Sequence, residues 1–295
     1  MPEGDTIFRS ARALGRAFEG KVVTRFETAL APLASVDDNT PVAGRTVQKV
    51  ESRGKWLLIH FSGDLILVTH MLMSGSWHIY RAGERWHRPR REMRAVIATS
   101  DFEAVAFSVP VARFYTAASL ARESSIPRPG IDLLSVEFAM DEAKQRLIAH
   151  GNEEIANALL NQQIMAGLGN VYKSEVLFAC GIYPFRRVGT LTPAEIDCIL
   201  DRARRFLEMN TRENANGAMT TYTGLRRTTR VAGLYADPDA DPGARLWVYR
   251  RNGRECRRCG AMIRMQRQGP GARSTYWCPV CQPEDALNTN RYEPM

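Results

Sequence analysis

Four of the six cysteines stand in two pairs, Cys256-x2-Cys259 and Cys278-x2-Cys281, with 18 residues between the pairs. Two such knuckles can close a tetrahedral site of four thiolates, the usual home of one structural zinc ion. A closed four-thiolate site leaves no coordination position open, so the metal would shape the chain rather than react. Two disulfides are the alternative; the opening residues lack the basic-then-apolar pattern of a secretion signal, which disfavours it. Between the pairs, AMIRMQR and RSTYW read as strands turned at GPG. A hairpin of that size cannot stand on its core alone, so metal binding is expected to be part of its folding energy. Cys180 and Cys198 fall on apolar helix faces and read as core, and the five histidines show no ligand spacing.

A second candidate is AGLGNVYKSE, residues 166–175. It joins two helical stretches, so backbone amides at a helix N-terminus and the Asn170 side chain could grip a phosphate without reading sequence. Taken alone it is equally an ordinary helix–helix turn. A third candidate is the opening MPEGDTIFRSARALGRAF. Ile7, Ala11, Leu14 and Phe18 recur at helical spacing with Arg9, Arg12 and Arg16 opposite, which predicts an amphipathic helix over 5–18. Pro2 and Glu3 are then left at its N-terminus, where by themselves they read as a solvated chain start.

Charge indicates the kind of partner. The 295 residues carry a formal +8, with 44% apolar and 24% charged residues, the composition of a folded globular chain. Nine arginines stand between Arg245 and Arg273 against one acid, Glu255, and six more lie between Arg81 and Arg94 against two acids. Concentrated in this way, the charge is the footprint of a nucleic-acid binder rather than a generally basic surface. No run of about 18 apolar residues is present, so no membrane span is expected. The expected location is the cytoplasm, with access to a bacterial nucleoid.

The elements that must position these residues change character along the chain. Residues 46–50, 55–61, 65–69, 76–80, 94–99 and 103–107 are short β-branched or aromatic runs separated by turn residues, at sandwich spacing. Near Ile126 the texture turns helical, with candidates at 141–150, 152–162, 170–181 and 192–209. The last opens on a capping signature, Thr192, Pro193 and Glu195, and Gly181 stands where a helix-ending glycine belongs. The fold class is therefore α+β. A β-rich N-terminal domain with an opening helix spans 1–125 and a helical domain 126–210. A loop at 211–245, a zinc hairpin at 246–282 and a tail at 283–295 follow.

In order and spacing these features resemble one family, the Fpg/Nei DNA glycosylases (formamidopyrimidine-DNA glycosylase and endonuclease VIII). The resemblance covers nearly the whole chain: the N-terminal PEG, the SRGK turn at 52–55, HMLMSGSW at 70–77, the AGLGNVYKSE turn of a helix–two-turn–helix, and the hairpin ending RSTYWCPVC. It implies a monomeric, bifunctional glycosylase and lyase of base excision repair acting on damaged DNA. Once Met1 is removed, Pro2 would be the amine that attacks C1′ and forms a Schiff base. Glu3 would be the general acid, with a raised pKa once DNA closes over it. Strand cleavage would follow by β- and then δ-elimination. An α-amino group suits this role because it titrates about 2–3 units below lysine, and the dipole of the opening helix favours proton loss further.

By the same resemblance, Lys55 contacts phosphate and assists elimination, and Arg273 grips the phosphate next to the lesion. Asn170 and Arg128 contact the DNA backbone. Met73 is the wedge that fills the gap left by a flipped base. The chain departs from the oxidised-purine branch in two places. It begins PEGDT rather than PELPE, which is closer to endonuclease VIII and favours oxidised pyrimidines. It carries VPVARFY at 109–115 in place of a DPRRFG loop, so Arg113 and Phe114 are candidate wedges with the register shifted by one residue. The segment 211–233 is a candidate cover for the flipped base. The alternatives are an oxidised-purine glycosylase of the same family and a zinc-hairpin DNA-binding protein without catalysis.

Overall fold

The structure, a computed structural model, describes residues 2–211, 219–221 and 245–284. It divides into two compact units, Met1–Ser135 and Val136–Met295.

The first unit is a β-sandwich with an opening helix. Its elements in chain order are α1 (Gly4–Phe18), β1 (Arg25–Thr28), α2 (Ala31–Asn39), β2 (Val47–Arg53), β3 (Trp56–Phe61), β4 (Leu65–His70), β5 (Ser76–Arg81), β6 (Met93–Ala98), β7 (Phe102–Phe107), β8 (Val111–Tyr115) and α3 (Ala117–Ala121). Two antiparallel four-stranded sheets run β1-β6-β7-β5 and β2-β3-β4-β8. Leu57, Ile59, Phe61 and Leu67 from one sheet meet Ile97, Ala104 and Ala106 from the other. The helix face predicted from spacing, Ile7, Ala11, Leu14 and Phe18, is buried in the same core. Leu58, Ile66 and Val68 point the other way into a smaller cluster with Leu120 and Ile126. Strands β3 and β4 are thus covered on both faces, which is why they read as continuous apolar runs rather than alternating ones.

The second unit holds the helices α4 (Met140–Ala149), α5 (Ile155–Ala158), α6 (Asn170–Ala179) and α7 (Pro193–Thr211), then the hairpin of β9 (Arg264–Gln268) and β10 (Arg273–Trp277). The start of α7 is a capping box: Thr192 N–H donates to Glu195 Oε2 at 2.8 Å, and Glu195 N–H donates to Thr192 Oγ1 at 3.3 Å. Gly181 follows α6 with φ 69°, the left-handed position that glycine occupies without strain.

Two expectations are corrected. The helix predicted over 152–162 shrinks to the single turn of α5. Asn161 Oδ1 accepts from Gln163 N–H, and Gln162 bonds the Leu160 and Leu168 carbonyls and the Gly167 amide. These side chains satisfy turn groups that a helix would have used internally. Cys180 and Cys198, read as core, are only half-buried and form a disulfide between the end of α6 and α7, with Cα atoms 6.0 Å apart. The loop and tail expectations fall mostly on residues outside those described. Among the described residues no helix is long and apolar enough to cross a membrane.

Leu67 is fully buried between the sheets. Leu67→Ala should cost about 2–5 kcal/mol in the chemical unfolding of the first unit; a loss below about 1 kcal/mol would contradict this core.

Candidate functional site

In the first unit, the N-terminus leads into α1, and Lys55 stands in the turn between β2 and β3. The C-terminal end of α1 is tied to β2: Gly20 N–H donates to Val47 O at 2.8 Å, and Val50 N–H to Glu19 Oε1 at 2.7 Å. Helix α1 then packs back along β2 and β3. Glu3 is the N-cap of α1 and 0% exposed; its carbonyl accepts from Thr6 and Ile7 amides. Pro2 is half-buried just before it.

The Lys55 turn is held from outside its own hairpin. Strands β2 and β3 close with Arg53 opposite Trp56, leaving Gly54 and Lys55 at the tip. Buried Asp132 accepts from the Gly54 amide at 2.7 Å and from the Leu134 amide at 2.9 Å. Burial raises the Asp132 carboxyl above its ordinary range, against the two amide bonds that favour its charge, and nearby Glu51 raises it further. Arg128, exposed four residues upstream, is carried by the same segment, where its carbonyl caps Ile131 N–H at 3.0 Å. Asp132 therefore links the Lys55 turn to the Arg128 segment.

His70 joins this group, although the sequence reading passed over it. It faces Trp56 across β3–β4 with ring centroids 4.7 Å apart. Burial, and then the Lys55 charge, lower its pKa to about 4. Leu72 N–H donates to His70 Nδ1 at 3.1 Å, which requires Nδ1 to be unprotonated and places the ring hydrogen on Nε2. The turn that follows projects Leu72 and Met73 into solvent, Met73 at 65% exposure. Gly75 N–H closes the turn on Met71 O at 2.8 Å, and a Cβ at Gly75 would lie 2.7 Å from that oxygen. Core packing is thus excluded for Met73. The other two wedge candidates separate: Arg113 is exposed, while Phe114 packs into the sandwich core against Phe26 with centroids 5.7 Å apart. Paired with Leu67 in a regular strand, Phe114 is committed to packing.

In the second unit, Asn170 opens α6 and its Nδ2 donates to Ser274 O of β10 at 2.9 Å. Arg273 precedes Ser274 at the exposed start of the same strand. Asn170 and Arg273 are therefore brought together by the hairpin packing on α6. Glu175, buried on α6, anchors the chain leading into the hairpin. Its Oε1 accepts from the amides of Val248 (2.9 Å) and Tyr249 (2.8 Å), and its Oε2 from the Trp247 amide (2.8 Å) and the Thr221 hydroxyl. The arginines of this region differ in their surroundings. Arg251 is buried on the carbonyls of Trp247 and Glu255, and Arg258 stacks over Phe178 at 4.5 Å. Arg254, Arg264, Arg267 and Arg273 are exposed.

The four paired cysteines converge, with sulfur atoms all within 4.8 Å of one another. Cys256 and Cys281 sulfurs lie 3.9 Å apart, and those of Cys259 and Cys278 3.4 Å. A tetrahedron with zinc–sulfur bonds of about 2.3 Å has edges of about 3.8 Å, so the donor set fits a structural zinc ion. Burial pushes the Cys278 thiol up to about 11 and raises Cys281 as well. A cation is what lets such crowded thiols ionise together.

Two outcomes follow from this geometry. The His70 ring should titrate near pH 4 by NMR, below the ordinary 6.5, and Lys55→Met should raise that midpoint; an unchanged midpoint would separate the two residues. Because the folded value is the lower one, His70 costs no stability above about pH 6.5 and progressively more as pH falls toward about 4. Chelating the zinc should unfold the hairpin, read from Trp247 and Trp277 emission, and leave the melting of the sandwich unit in place; loss of both together would contradict a local structural role.

Comparison with known proteins agrees with this architecture. Residues 1–110 match the formamidopyrimidine-DNA glycosylase N-terminal domain, 130–221 the formamidopyrimidine-DNA glycosylase H2TH domain, and 253–283 the zinc finger found in FPG and IleRS. The chain is 36% identical over 285 residues to a probable endonuclease 8 2 of Streptomyces coelicolor, covering 96% of this chain and 94% of that one. It is 37% identical to the DNA-(apurinic or apyrimidinic site) lyase Nei2 of Mycolicibacterium smegmatis, covering 96% and 99%. Among solved structures, the Lactococcus lactis formamidopyrimidine-DNA glycosylase bound to DNA containing an abasic site superposes with a TM-score of 0.75 at 21% identity, covering 96% of this chain and all of that one. The three matched domains and the full-length relatives establish that the chain belongs to the Fpg/Nei family of DNA glycosylases, on its endonuclease VIII side.

Proposed function

We propose that this protein is a bifunctional DNA glycosylase and abasic-site lyase of base excision repair, that it removes oxidised bases from DNA, and that it prefers oxidised pyrimidines. The observation that carries the reading is the Pro2–Glu3 pair at the start of α1, with Glu3 fully buried as the N-cap of that helix. Removal of Met1 makes Pro2 a secondary amine at the positive end of a fifteen-residue helix, where the dipole disfavours its protonated form. The neutral nitrogen attacks C1′ as the glycosidic bond breaks and its electron pair leaves with the base. The departing base takes up the proton that the Pro2 nitrogen sheds, and Glu3 delivers a proton to the sugar ring oxygen as the ring opens, giving an iminium between Pro2 and the sugar. The iminium acidifies C2′; loss of that proton expels the 3′ phosphate, and a second elimination expels the 5′ phosphate.

Other residues hold the substrate. Lys55 and Arg128 contact phosphates from the first unit, and Asn170 and Arg273 from the second. Met73, exposed at the tip of its turn, fills the space vacated by the extruded base. Neutral His70 beside Lys55 leaves the lysine as the cation of that corner. The PEGDT start, and relatives named as endonuclease 8, support the pyrimidine preference. The bacterial relatives support action at the nucleoid.

Borohydride trapping tests the reading. Duplexes carrying 5-hydroxyuracil should give a covalent protein–DNA adduct, faster than duplexes carrying 8-oxoguanine opposite cytosine. Pro2→Gly should lose most of the adduct, and one extra residue ahead of Pro2 should abolish it while binding persists. Retained adduct with a blocked terminus would overturn the nucleophile, and the reverse lesion ranking would overturn the pyrimidine preference.

A further inference from the structure

Lys173 is 1% exposed, a burial that lysine almost never tolerates without specific partners. None of the steps above uses it. Its ammonium donates to Asn170 Oδ1 at 2.7 Å, to Thr275 Oγ1 at 2.8 Å and to Ser274 O at 3.3 Å. Two of these acceptors lie on β10, directly after Arg273, and the third is the side chain that opens α6.

The contacts fix the orientation of Asn170, the ammonium of Lys173 and the Ser274 carbonyl demanding the same one. An ammonium has hydrogens and no lone pair, so it takes only the amide oxygen. With Oδ1 turned toward Lys173, Nδ2 must face the other way, where one hydrogen goes to Ser274 O at 2.9 Å. The second Nδ2 hydrogen is left for a phosphate oxygen. The network continues inward: Thr275 Oγ1 donates to Gln268 Oε1 at 2.7 Å, and Gln268 Nε2 to Glu154 Oε2 at 2.8 Å. Thr275 and Gln268 are both buried. A satisfied polar chain in a low-dielectric interior holds its members rigidly.

We propose that Lys173 is a positioning residue for DNA-backbone binding: its buried ammonium sets the Asn170 amide to donate and joins it to the strand that carries Arg273. This rests on the reading of Asn170 and Arg273 as phosphate contacts. Lys173 need not touch DNA. It removes the alternative amide orientation, in which the oxygen would meet the phosphate and repel it.

The test is a double-mutant cycle on the zinc-loaded, full-length protein. Binding to a duplex with a tetrahydrofuran abasic analogue is followed by fluorescence anisotropy at fixed salt. Lys173→Met keeps the length and removes charge and donors, and should weaken binding about tenfold, the effect of losing charge-assisted hydrogen bonds. Asn170→Ala should cost a similar factor, and the double variant little more than either alone, because both remove one oriented donor. A structural role alone leaves the two losses multiplicative. Binding of Lys173→Met within about twofold of the parent, or multiplicative losses, overturns the proposal. If Lys173→Met does not retain zinc and a cooperative melt, Thr275→Val decides. It should lose about threefold, with the loss absent on the Asn170→Ala background, and parent-like binding overturns the proposal. A parent chain that does not bind the duplex overturns the functional reading together with the inference.

Discussion

One buried carboxylate organises the second unit. Glu175 gathers three consecutive backbone amides, of Trp247, Val248 and Tyr249, onto the middle of α6. Those amides open the segment that runs into the cysteine hairpin, so the hairpin is mounted on the same helix that presents Asn170. Hydrogen bonds to a charged acceptor are about twice as strong as neutral ones, and in a water-free interior a lost acceptor would orphan three donors at once. The four cysteines would close the hairpin upon a metal, whereas Glu175 fixes the chain that leads into it. The contacts of Asn170 and Lys173 with Ser274 and Thr275 then hold β10, and with it Arg273, beside the start of α6.

The first unit solves a similar problem by a different route. Its catalytic candidates sit on a chain terminus, a hairpin tip and a surface turn, which are the parts of a protein that ordinarily fray. Each is tied to something stiffer. Glu3 is buried as the cap of a helix locked to the sheet, the Lys55 tip is hung from Asp132, and the Met73 turn is closed by Gly75 and His70. Stiffness at these points matters because bond-making chemistry is sensitive to displacements of about 1 Å.

What the sequence disclosed follows from the range of each signal. Helical spacing showed the buried face of α1, local capping chemistry the start of α7, and cysteine spacing the thiolate site, because each signal is complete within a few tens of residues. Strands β1 and β8 escaped because both are short, four and five residues, and only partly buried. The shortened α5 escaped because side chains in its turn take over its helical hydrogen bonds. Asp132, Glu175 and Lys173 were invisible for a different reason. Their partners lie 78, 72 and 102 residues away, and nothing in a local window marks an acid or a lysine as buried. The disulfide between Cys180 and Cys198 belongs with them, since it depends on how α6 meets α7. Phe114 shows the converse: a position that the motif offers as a wedge, whose ring packs against Phe26 in the sandwich.

The Leu72–Ser74 turn carries an evolutionary consequence. Its side chains project outward, contribute little to the packed interior, and hang from a frame whose fixed points are Met71, Gly75 and His70. Exposed positions of that kind accept replacement at small thermodynamic cost. On the proposed reading of Met73 as a wedge, a lineage could therefore exchange the groups on this turn while inheriting the rest of the unit unchanged, without passing through unstable ancestors.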